Sequence, residues 1–328
     1  MKSLYGLLLP GAALLLGGAG QPAPDAKPPI IDMHLHAYES DPRWAGRVPN
    51  PATGKPLTAT DEKAHRRATL AELKHHNIVK AVLSNGTGAV EVVDRWKAAA
   101  PDVIIPSPGF DGPHQEAQGG PAGGAARDLA MPPPEPGALR RDYLAGRFAA
   151  MGEIGAVYAG LALDDSRLEP YFALAEELDI PVAVHTGISS PNTPYQGYPR
   201  FRAGLGNPLP LEAVLVRHPK LRIYLQHAGY PYLQETKALM LVYPQVYADL
   251  AAIDWIIPRE EFHEYLRGLM RAGLGKRLMF GSDQMVWPEA IGMAIEGIES
   301  ADFLTADQKR DIFYNNAVRF LRLDEKRP

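Results

Sequence analysis

The feature that most constrains this chain is a repeated alternation of short apolar, β-branched runs with longer stretches of helix formers. The runs occupy residues 30–34, 78–84, 103–106, 152–157, 181–185, 222–227, 246–250 and 278–281. Between and after them, residues 61–76, 89–99, 139–149, 168–178, 211–218, 232–242, 259–272 and 288–300 carry apolar side chains three and four apart, the helical spacing. Residues 307–323 read as one further, terminal helix. Strands that alternate with helices form βαβ units and a parallel sheet. Eight such units in roughly 300 residues predict an α/β fold closed into a (β/α)8 TIM barrel. The alternative, an open doubly wound sheet, normally places a glycine-rich phosphate loop after its first strand. Here the first strand runs into HLHAYES, which has no such loop.

The two ends read differently from this repeat. Residues 1–20, MKSLYGLLLPGAALLLGGAG, pair one basic residue with an apolar run broken by Pro10 and closed by small residues. That is the pattern of a secretory signal peptide, and it implies export to the periplasm or beyond. The run is too interrupted for a spanning helix of about 20 residues, so no membrane attachment is expected once the signal is removed. Residues 21–29 form a Pro-rich linker, residues 30–323 the barrel, and 324–328 a tail.

Composition narrows the chemistry. The 328 residues include no cysteine, which excludes disulfides, thiolate nucleophiles and cysteine metal sites. A metal site here must be built from His, Asp and Glu. The net charge of -4 supplies no basic field for nucleic acid held through phosphate contacts. A small-molecule substrate is the expected partner, with a homo-oligomer as a further expectation.

Four of the ten histidines fall where predicted strands end: His34 and His36 on the first, His185 on the fifth, His227 on the sixth. Asp283 follows the eighth strand, and Glu153 lies in the fourth. The ends of barrel strands converge on one mouth. Residues i and i+2 of a strand point to one face, so His34 and His36 enter the mouth together. Neutral imidazoles so placed are good ligands for zinc, iron, nickel or manganese. Asp32 faces the same way but deeper, where a buried carboxylate needs a partner. His65, His75, His76, His218 and His263 sit in predicted helices and read as solvated or capping residues, and His114 lies in the loop after the third strand.

The segments IDMHLH, GEIG, PVAVHTG, LQHAG and FGSDQ together resemble the amidohydrolase superfamily, in the amidohydrolase-related branch that includes aminocarboxymuconate-semialdehyde decarboxylase. The resemblance runs from Ile30 to Leu323. It implies a barrel with one or two divalent metals, zinc foremost. By position it makes His34, His36 and Asp283 ligands of the first metal and His185 a ligand from the fifth strand. His227 becomes either a ligand of a second metal or an acid/base group. Glu153 stands where many relatives carry a carbamylated lysine, and is similar to the glutamate of the GE-x-G motif in TatD-type metal hydrolases. It is therefore a candidate bridging ligand.

A divalent metal lowers the pKa of its water from about 15.7 towards 7 and polarises carbonyl or phosphoryl oxygens. Asp283 is then the leading acid/base group, and His227 orients water or binds an oxyanion. The long segment 186–208 supplies Tyr195, Tyr198, Arg200 and Arg202, and arginine forks suit a carboxylate or phosphate. Tyr195, Arg200, Arg202 and Trp287 are the expected substrate contacts. The other long segment, 109–137, is rich in Gly, Pro and Ala. The function expected is a metal-dependent hydrolase of an amide, lactone or other ester. The alternative is a metal-dependent, non-oxidative decarboxylase of an unsaturated or aromatic acid.

Overall fold

The structure, a computed structural model, describes residues 27–87, 89–112, 128–187 and 189–324. The proposed signal segment 1–20 and His114 lie outside the described residues. Of the Pro-rich segment 21–29 only the last three residues are described. They are tied to the barrel by Lys27 Nζ, which donates to the His75 carbonyl at 2.9 Å, and by the Pro29 carbonyl, which accepts from Arg310.

Eight strands follow one another around the chain: β1 (Ile30–Tyr38), β2 (Ile78–Thr87), β3 (Ile104–Ser107), β4 (Met151–Ile154), β5 (Val182–His185), β6 (Ile223–Gln226), β7 (Val246–Asp249) and β8 (Leu278–Met279). The order β1-β2-β3 and the order β4-β5-β6-β7-β8 are parallel throughout. Two seams close them into a ring. Phe110 bridges Ile154 beside β3 and β4, and the Met33 N–H of β1 donates to the Phe280 carbonyl beyond β8 at 2.9 Å. Among the described residues no edge strand is left open, and the result is the (β/α)8 TIM barrel.

The helices are α1 (Pro42–Gly46), α2 (Glu62–His75), α3 (Glu91–Ala99), α4 (Pro136–Leu144), α5 (Glu169–Glu177), α6 (Leu211–Arg217), α7 (Leu233–Val242), α8 (Arg259–Arg271), α9 (Ala290–Glu299), α10 (Ala306–Arg310) and α11 (Asn316–Leu321). Two depart from the periodicity. The fourth begins at Pro136 because Glu135 caps it, its carboxylate accepting from the N–H groups of Gly137 and Ala138. The terminal stretch is not one helix, because a π turn over Asp311–Asn315 separates α10 from α11. Asp311 is held there by Lys276 and Asn315.

The core has two layers. Inside the ring, Ile31, Met33, Val82, Ala183, Tyr224 and Met279 pack together, and Phe320 and Leu321 of α11 pack against them. The Phe320 ring lies 5.4 Å from Tyr224 and 4.9 Å from Tyr247. A larger layer fills the space between strands and helices. The interior is therefore solid, and the C-terminal ends of the strands carry the functional groups.

Two helix histidines are not solvated. His218 is buried between Glu169, 2.8 Å from Nε2, and Glu176, 3.0 Å from Nδ1, and ties α5 to the end of α6. His65 is fully buried among Tyr38, Trp44 and Trp96, at 6.1, 5.9 and 5.5 Å between ring centres. Burial pushes its pKa down from 6.5 to about 4. The folded protein keeps His65 neutral while the unfolded chain takes up a proton below pH 6.5. Its contribution is therefore complete above about pH 6.5 and is lost as pH falls towards 4, by roughly 2–3 kcal/mol. Denaturant melts at pH 7 and pH 4.5 are expected to show His65→Leu losing less stability with acid than wild type by about that amount. Equal acid losses would count against it.

Candidate metal centre

Six side chains from five strand ends meet at the barrel mouth. His34 and His36 project side by side from β1, and their Nε2 atoms are 3.1 Å apart. Glu153 of β4 reaches across, with Oε2 3.3 Å from His34 Nε2 and 3.2 Å from His36 Nε2. Its other oxygen lies 2.6 Å from Nδ1 of His185, at the end of β5. His227, after β6, places Nε2 3.3 Å from the same His185 nitrogen. Asp283, after β8, brings Oδ1 to 3.2 Å from His36 Nε2 and 3.9 Å from His34 Nε2. Three sets of donor atoms each fit within 4.8 Å: His34, His227 and Asp283; His34, His36 and Glu153; Glu153, His185 and His227.

Each imidazole turns one nitrogen into the cluster and the other towards a partner. Behind His34, Nδ1 is 3.2 Å from Asp249 Oδ2; behind His36, Nδ1 is 3.2 Å from Ser84 Oγ. His227 Nδ1 donates to the Ala251 carbonyl at 2.9 Å, and His185 Nε2 lies 3.5 Å from the Tyr158 hydroxyl. Such rear contacts orient the rings and turn the front nitrogens towards the centre of the cluster, where a cation would take their lone pairs. His227 and Asp283 are held at φ 58° and 43°, left-handed values that non-glycine residues adopt only where surroundings enforce them.

The electrostatics of the cluster call for a positive charge. Burial would raise the Asp283 and Glu153 carboxyls, but the neighbouring imidazoles outweigh it and hold both below the usual carboxylate range. The same carboxylates, with Asp249, push His34 above its ordinary value against the opposing effect of burial. Burial and the nearby rings of His185 and His34 keep His227 low, hence neutral. Asp283 Oδ1 is buried without an aligned hydrogen bond. Convergent, buried nitrogen and carboxylate donors fit a divalent metal ion.

Support comes from below. Asp32 accepts from the backbone N–H of His34 and Ser282 at 2.9 and 3.0 Å and from Ser282 Oγ at 2.6 Å. Burial outweighs these bonds and raises its pKa to about 6. Gln284 pairs with both backbone groups of His36. Asp249 also accepts the His227 N–H at 2.8 Å, so one carboxylate serves two histidines. Sequence reasoning missed Asp249 and Gln284. Asp249 carried a signal, since it stands next to last in the predicted seventh strand, 246–250.

The cluster opens into a cavity of about 330 Å³ walled by Tyr38, Arg43, Asp111, Tyr158, Ser189 and Tyr198, among others. The four expected substrate contacts are not on that wall. Tyr195 projects outward, 81% exposed. Arg200 is drawn to Asp128, 2.5 Å away, and to the Ala159 carbonyl. Arg202 donates to the carbonyls of Pro199 and Phe201. Trp287 is buried, donating to the Val48 carbonyl and packing near Trp255. The guanidinium on the wall belongs to Arg43, which lies over the Tyr38 and Trp287 rings and is held by Asp41 at 2.7 Å. Gly155, last residue of GEIG, is required sterically, because the Asp111 carboxylate fills the space a β-carbon would take.

Comparisons with known proteins agree with this architecture. The structure is similar to a TIM-barrel protein from Bordetella bronchiseptica, with TM-score 0.65 and 20% identity over 90% of this chain and 98% of that one. A 5-carboxyvanillate decarboxylase from Novosphingobium aromaticivorans, complexed with manganese, gives 0.56 and 16%, over 89% and 96%. A 4-oxalomesaconate hydratase from Rhodopseudomonas palustris gives 0.51 and 17%, over 90% and 96%. Among curated proteins, Protein fluG of Emericella nidulans is 26% identical over 165 residues, 43% of this chain. The match spans only 19% of that relative's length. The amidohydrolase family model matches residues 31–323, a span that takes in every strand but the first residue of β1 and all six clustered side chains. The chain belongs to the amidohydrolase family.

Proposed function

We propose that the protein is a metal-dependent hydrolase that cleaves an amide, lactone or other ester bond of a small molecule, with zinc as the ion. The observation that carries this reading is the arrangement of the four imidazoles, each with its rear nitrogen engaged and its front nitrogen facing Glu153 or Asp283. His34, His36 and Asp283 would hold the first ion, with His185 a further ligand from β5 beside Glu153 and His227. Glu153, with one oxygen towards the β1 pair and the other towards His185, would join a second position shared with His227.

A divalent ion held by these residues would supply Lewis acidity and favour nucleophilic water near neutral pH. Asp283 accepts the proton that the attacking water gives up and returns it to the departing amine or alkoxide. His227, neutral and fixed through Nδ1–H on the Ala251 carbonyl, offers its Nε2 lone pair to orient that water or serves as a ligand. Arg43, clamped by Asp41, presents a guanidinium to a carboxylate on the substrate. The Tyr38, Tyr158 and Tyr198 side chains and Met285 give the cavity its apolar faces.

The test is a panel of lactones, esters, N-acyl amino acids and phosphoesters run on metal-quantified protein. About one or two equivalents of metal and acid release from a lactone or ester are expected. Carbon dioxide released from an unsaturated or aromatic acid, with no hydrolysis, would select the decarboxylase instead. Protein that takes up no metal from replete medium would defeat both.

A further inference from the structure

Tyr158 stands in the connection between β4 and α5, outside the ligand set. Its ring is held by Tyr198, His185 and Phe201, at 4.8, 4.9 and 5.6 Å between ring centres. Its hydroxyl lies 3.0 Å from Ser189 Oγ and 3.5 Å from His185 Nε2. All three groups reach the cavity wall. His185 directs its other nitrogen, Nδ1, at Glu153 and His227. An imidazole that lends its Nδ1 lone pair to a cation carries its proton on Nε2. That N–H then donates to the Tyr158 oxygen, so the phenolic O–H must turn to another acceptor. Among the described residues an acceptor within reach is Ser189 Oγ, 3.0 Å away and itself bonded with Thr193 Oγ1 at 3.1 Å. A phenol with an ordinary pKa of about 10 keeps its proton through the neutral range.

We propose that Tyr158 is a catalytic residue whose hydroxyl donates a hydrogen bond to the substrate oxygen on which negative charge develops, with Ser189 as its resting acceptor. This assignment rests on the reading that the front nitrogens hold a cation. No covalent bond to Tyr158 forms or breaks, and its proton stays on the phenolic oxygen. A donor fixed in advance by three rings acts where charge appears, and removal of one such donor typically costs about 10²–10³ in rate.

The experiment uses the full chain, with metal quantified in each variant, and methylphosphonate as a stable tetrahedral oxyanion. Tyr158→Phe is expected to keep its metal and its melting temperature and to bind methylphosphonate about 10–100-fold more weakly by calorimetry. For any ester or lactone turned over by the wild type, kcat should fall at least as far, with KM within about twofold. Ser189→Ala removes the resting acceptor and leaves the Tyr158 donor in place, so it should cost clearly less methylphosphonate affinity than Tyr158→Phe. Four results overturn the assignment: equal affinity in wild type and Tyr158→Phe, metal-loaded wild type that binds no methylphosphonate, a Ser189→Ala loss as large as that of Tyr158→Phe, or loss of metal from Tyr158→Phe. The last would make Tyr158 a positioning group for His185. Wild type without metal would overturn the metal reading and this assignment together, and metal analysis would show it before any phosphonate is added.

Discussion

Asp283→Asn is expected to lower turnover by about 10²–10⁴-fold while leaving the fold intact. Asparagine has the same shape but no site for a proton at neutral pH, so the water proton loses its acceptor and the leaving group its donor. The substitution is structurally mild for two reasons. The backbone N–H of residue 283 donates to the His34 carbonyl at 2.8 Å, a bond the side chain does not make. Its φ of 43° lies in the left-handed region, which asparagine tolerates at least as well as aspartate. The backbone should therefore hold its course, although asparagine gives up the buried charge that Asp283 sets against His34 and His36, so the melt should show a loss of stability far too small to account for the loss of turnover in protein that remains folded. The measurement is kcat on metal-quantified protein beside a denaturant melt. Turnover within threefold of wild type would remove Asp283 from the mechanism.

Removing metal by chelation is expected to abolish turnover and to destabilise the fold, and returning zinc should restore both. Two buried carboxylates, Asp249 and Asp283, and the half-buried Glu153 face four buried imidazoles, and without a cation the charge balance depends on protons taken up by those rings. A ligand that binds only the folded state stabilises it by about 2.7 kcal/mol at a free concentration 100 times its Kd, which is several degrees in melting temperature. The effect has a definite pH sign. The carboxylates raise His34 and His36 above their ordinary values, so protons compete with the ion at the front nitrogens. Metal-dependent stabilisation should therefore shrink as pH falls through the imidazole range. Melts with and without zinc at pH 8 and pH 6 measure it, and a melting temperature indifferent to zinc at both would refute the centre.

Much of the site is legible in the sequence because barrel strands impose a simple rule: residues at strand ends converge on one mouth. His34, His36, Glu153, His185, His227 and Asp283 all sit at such ends, and the structure gathers all six. The residues that tune them were harder to read. Asp249 looks like any strand-terminal acid until His34 and His227 are seen to share it. Arg43 follows β1 in a short helix with no signal of its own, whereas Arg200 and Arg202 attract attention and are taken up by Asp128 and by backbone carbonyls. His65 and His218 occupy helical positions that look solvated, yet one is enclosed by aromatic rings and the other by two glutamates.

Local periodicity and the i, i+2 geometry of a strand depend only on neighbours along the chain, so the eight-fold alternation and the paired imidazoles of β1 can be read from the order of residues alone. Ring tautomers, the partner behind each histidine and the choice of guanidinium at the cavity depend on side chains far apart in the chain meeting at ångström distances. Those were decided only when closure of the barrel brought β1 against β8, and set Asp249, Ala251, Ser84 and Tyr158 behind the four imidazoles.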